Sequence, residues 1–107
     1  MNTEASAQYT MLLAELQQRW QAAFAALARG DDLAPGRRYR MEGMMESAAL
    51  LEPGSEADIS EAMAAAYLRQ FGNNLAQDFG QDWQQFYPFP QIPAVMKRAP
   101  VYPSTTD

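Results

Sequence analysis

The sequence predicts an all-α domain followed by an extended, proline-rich arm. Three observations carry that reading. Residues 3–29 contain neither proline nor glycine, and their apolar side chains recur at three- and four-residue steps. Turn-forming residues then divide the chain into further segments of helical period. Finally, five of the seven prolines fall between Tyr87 and Asp107.

The first helix is expected from Thr3 to about Arg29. Tyr9, Leu12, Leu13, Leu16, Trp20, Phe24 and Leu27 share one face, and Gly30 offers a left-handed stop. Residues 30–36, GDDLAPG, form a connection in which Pro35 suits the first turn of the next helix. The second helix is expected from about Gly36 to Leu51, with Met41, Met44, Met45 and Ala48 as its apolar stripe. Met44 and Met45 are adjacent, so they cannot both face the core. Pro53 and Gly54 break that helix. Ser55 or Asp58 then supplies the capping side chain of the third, which carries Ile59, Met63, Ala66 and Tyr67 inward and ends at Gly72. A shorter fourth helix is expected from about Asn74 to Phe86, with Leu75, Phe79, Trp83, Phe86 and Tyr87 on one face. Gly80 weakens it, because glycine in a helix costs up to about 1 kcal/mol relative to alanine.

Pro88, Pro90 and Pro93 exclude a regular helix beyond this point. The tail is nevertheless too apolar for a solvated segment, since Phe89, Ile92, Val95, Met96, Val101 and Tyr102 lie among its prolines. It is therefore expected to act as a strap on its own domain, on a twin subunit or on another protein. Residues 1–87 form the helical domain in this reading, and residues 88–107 the arm.

Composition narrows the chemistry. The 107 residues include no histidine and no cysteine, which excludes Ser-His-Asp triads, Cys-His dyads, disulfides and the usual zinc sites within the chain. With a net charge of −5, neither nucleic acid nor an anionic membrane is an expected partner. No secretory signal or apolar stretch of membrane-spanning length is evident, so a cytoplasmic, bacterial-type protein is expected. The third helix offers only Arg69 for phosphate contacts, which argues against a helix-turn-helix. The DFG at 78–80 lacks every other kinase element. Glu42/Glu46 and Asp78/Asp82 are paired at helical spacing, but without histidines they read as a solvated acidic face rather than a metal site. No cofactor is expected.

Two features remain. Arg37, Arg38 and Arg40 cluster at the start of the second helix, where they would serve a phosphate or an acidic partner, or else pair locally, as Arg38 with Glu42. The methionines suggest an adaptable apolar surface. The expected function is therefore a non-enzymatic, homodimeric binding or regulatory protein. Its partner-binding residues would be Arg37, Arg38, Arg40, Met44, Phe89, Ile92, Val95 and Tyr102. The first helix, about 39 Å long at 1.5 Å per residue, would support the dimer. Two alternatives are an antitoxin- or inhibitor-like protein whose arm wraps an enzyme, and a small-molecule binder. The latter would use an apolar pocket among Trp20, Met41, Met45, Tyr67 and Trp83.

Overall fold

In a computed structural model, residues 3–93 are described, with side chains from residue 7 onward. The chain is mostly helical, with no strand among the described residues. Helix α1 spans Thr3–Ala28, α2 Pro35–Leu51 and α3 Glu56–Phe71. Two short helices follow, α4 at Leu75–Phe79 and α5 at Trp83–Phe86. No helix among the described residues is long and apolar enough to cross a membrane.

Helix α1 packs against both α2 and α3, so its apolar stripe is the spine of the core. Leu16, Trp20, Ala23, Phe24 and Leu27 are buried on it, and Tyr9, Leu12 and Leu13 are half-buried nearer its start. The helix closes as its composition predicts. Gly30 takes φ +98°, and the Asp31 N–H donates to the Ala26 carbonyl, which satisfies one of the last-turn acceptors. Across from α1, Met41, Met45 and Ala48 of α2 and Ile59, Met63, Ala66 and Tyr67 of α3 complete the interior. Met45 is buried and Met44 half-buried, the division their adjacency requires.

Two local expectations are corrected. Ser55 occupies the position before α3, but its hydroxyl makes no capping hydrogen bond. Its ψ of 5° departs from the extended backbone that aims a capping oxygen at the first N–H groups, and its buried Oγ has no partner among the described residues. The single fourth helix is in fact two. Gly80 sits at φ +106°, ψ 155°, a conformation closed to helix and costly for any side chain, so the backbone turns there. The reorientation leaves Phe86 exposed rather than on the shared apolar face, while Leu75 is buried and Phe79, Trp83 and Tyr87 are half-buried. Helix α4 begins on a full capping box: the Asn74 side chain accepts from the Gln77 N–H, and the Gln77 side chain accepts from the Asn74 N–H.

An aromatic cluster joins these short helices to the bundle. The Tyr67 ring meets Phe24 edge-on at 5.3 Å, stacks on Phe71 at 4.4 Å and lies 5.9 Å from Phe79. Its hydroxyl donates to Asp78 Oδ2 at 2.5 Å. Burial, with the Asp78 bond and charge added, holds this phenol well above its ordinary value.

Candidate functional site

The described part of the proline-rich segment expected to form an arm, residues 88–93, begins with a turn. The Gln91 N–H donates to the Pro88 carbonyl at 2.9 Å, and the Phe89–Pro90 peptide is cis. The turn drives Ile92 and Pro93 into the domain, where both are buried and Ile92 is only 1% exposed. The Ile92 N–H donates to Glu42 Oε2 at 3.0 Å. The same carboxylate oxygen accepts from Arg38 Nη1 at 2.9 Å, in an ion pair with side chains only 20% and 12% exposed. Arg38 also lies over the Tyr39 ring, 4.6 Å from its centre. Glu42 thus clasps the root of the arm to the middle of α2.

Two concavities flank this clasp. One lies toward the carboxyl end of α2. It has a volume of about 420 Å³ and is lined by Glu46, Ala49 and Leu50 from α2, Glu56 from the start of α3, and Phe89 and Pro90 from the arm. Leu50 is 82% exposed within it, so an aliphatic side chain stands in water beside a ring and two carboxylates. The other lies toward the amino end of α2. It is smaller, about 50 Å³, and lined by Arg19 of α1 with Arg37, Arg40 and Met41 of α2.

The residues singled out in the sequence are redistributed accordingly. Arg37 and Arg40 share the small concavity, while Arg38 turns away to Glu42. Phe89 lines the large groove, Met44 is half-buried, and Ile92 faces the chain's own core, where it offers no surface to a partner. Val95 and Tyr102 lie outside the described residues. Trp20, Met41, Met45 and Tyr67 come together as packed core, with Trp83 half-buried against it. Neither concavity is lined by Trp20, Tyr67 or Trp83. The Trp20 indole N–H is buried without an acceptor among the described residues. Glu42 and Asp78 are engaged with Arg38 and Tyr67, and no group of three carboxylates that could hold a metal forms among the described residues.

Sequence reasoning did not find Leu50, Glu46 or Glu56 as neighbours of Phe89, nor Arg19 as a neighbour of Arg37 and Arg40. Helical spacing relates residues three or four apart on one element and is silent about residues on different elements. Comparison with known protein families, curated proteins and solved structures finds no match, so the geometry alone carries the functional reading.

Proposed function

We propose that the chain is a non-enzymatic binding protein that recognises a segment of another polypeptide in the groove between α2 and the root of the arm. The observation that carries this reading is Leu50, 82% exposed beside Phe89 and Pro90 and flanked by Glu46 and Glu56. An apolar floor with two carboxylates on its rim selects an apolar side chain that has a lysine or arginine next to it. Phe89 and Pro90 are held by the turn behind them, so part of the groove is formed before a partner arrives and less ordering entropy opposes binding. The partner-binding role expected of the arm is in this reading divided. Ile92 fixes the segment to its domain, and Phe89, half-buried against the core, lines the groove.

Self-association belongs to the same proposal. Near the start of α1, Met11 is 73% exposed and Tyr9, Leu12 and Leu13 are half-buried, which is an apolar surface suited to pairing two copies.

The test is selection of binders from a displayed random-peptide library on the full-length chain. Enriched peptides should carry an apolar residue adjacent to lysine or arginine. Their affinity should fall at least about tenfold on Leu50→Asp, which buries no new charge in the core because the position is exposed. Enrichment of acidic peptides, or binding indifferent to Leu50→Asp, would refute the groove as the recognition surface.

A further inference from the structure

We infer that the concavity formed by Arg19, Arg37 and Arg40 is a binding site for a single phosphate group, independent of the groove at the other end of α2. The two sites are separated along that helix by the ten residues from Arg40 to Leu50, about 15 Å at 1.5 Å each.

Charge is the first argument. The chain carries −5 overall, yet three arginines from two helices line one small hollow. Arg19 has a partner, Glu15, at 2.9 Å. Arg37 and Arg40 have no ion-pair partner among the described residues, and α2 has no acidic residue in its first turn and no capping side chain. The neighbourhood is left with two uncompensated positive charges, which a phosphate dianion would match.

Placement is the second argument. Arginines near the amino end of a helix are opposed by its dipole, and arginines that share a hollow repel one another, so local energetics do not favour the arrangement. An anion among them reverses both terms. Arg38, by contrast, sits in the same run but is already neutralised by Glu42, which leaves Arg37 and Arg40 as the pair directed toward Arg19.

Size is the third. About 50 Å³ holds a few water molecules or one tetrahedral oxyanion, with any remainder of the molecule outside the hollow. Guanidinium groups suit that ligand because their N–H groups pair with two oxygens at once. Met41 is the one apolar residue of the lining, and the Glu15 carboxylate, 2.9 Å from Arg19 Nε, is the acidic group that an entering anion would compete with.

The experiment is a titration of the full-length protein, followed through the arginine Nε–H resonances. Inorganic phosphate is one titrant and glycerol 3-phosphate the other, with ionic strength held constant by chloride. Arg19, Arg37 and Arg40 should shift on one saturating curve with a Kd on the order of 1 mM or tighter, while Arg29 and Arg69 stay still. The double variant Arg37→Gln/Arg40→Gln should weaken binding at least about tenfold. Tighter binding of the monoester assigns the site to a phosphorylated small molecule, and equal or tighter binding of inorganic phosphate assigns it to the free ion. The proposal is overturned if wild-type resonances fail to saturate by about 50 mM, or if the double variant binds as well as wild type. The wild-type titration decides the first point without any variant.

Discussion

Tyr67 shows how one side chain can serve packing and polarity together. Its ring is the hub of the aromatic cluster, and its hydroxyl reaches the only residue of α4 that could accept its proton in a charge-assisted bond, Asp78. Replacing it by phenylalanine keeps the ring and removes the bond. Tyr67→Phe should therefore lose about 1–3 kcal/mol at neutral pH, read by urea unfolding. The pH dependence has a definite sign. Burial and Asp78 raise the phenol above its ordinary 10.0 in the folded state. Below pH 10 the group is protonated in both states and adds no slope. Above it the unfolded chain releases a proton that the folded chain retains, so stability declines as pH rises. That share of the alkaline decline should be missing from Tyr67→Phe, and identical alkaline slopes for the two proteins would contradict the assignment.

Among the elements, the three long helices were legible because glycine and proline bracket them. Gly30, Pro35, Pro53, Gly54 and Gly72 all lie at boundaries, and apolar periodicity fills the spans between. The region after Asn74 was legible only in part. An in-helix glycine costs little and a chain-reversing glycine is obligatory, and the letter is the same in both cases; only the φ of +106° at Gly80 separates them. The contrast makes a paired prediction. Gly80→Ala should destabilise by about 1–2 kcal/mol, because the new Cβ is disfavoured at that φ and also meets Asp82 Oδ1 at 3.2 Å. Gly43→Ala, inside α2 with nothing within 4 Å, should stabilise by about 0.5–1 kcal/mol. A stabilised Gly80→Ala would restore the continuous helix that periodicity suggests. The capping of α3 was misread for a related reason: a serine at the right position caps only if its backbone is extended, and Ser55 is not.

At the scale of the whole molecule, the decisive contact joins residues fifty positions apart. Glu42 receives the Ile92 N–H and Arg38 on one oxygen, and Ile92 fills the core beneath them. The sequence suggested a tail too apolar for solvent but did not show which of its apolar residues turns inward, because a proline-rich segment has no periodicity to assign a face. The expected boundary after residue 87 falls before two buried side chains, Ile92 and Pro93. Glu42→Ala would leave the Ile92 N–H without its acceptor and Arg38 without its partner, at a cost of about 1–3 kcal/mol. Its amide exchange at Ile92 should rise more than that of the α1 and α3 core amides, since the clasp opens locally before the helices do. Uniform acceleration throughout the domain would instead mean that the clasp has no separate opening.

The position of Ile92 also bears on how the chain is made. A ribosome delivers α1, α2 and α3 well before it delivers residue 92, and domains begin to fold as their segments emerge. Until then the space that Ile92 and Pro93 occupy is an open apolar notch beside an ion pair lacking its third member. The bundle without that segment is thus a helical body with an apolar hole in it. Residues read late in the message close the interior that residues read early have built.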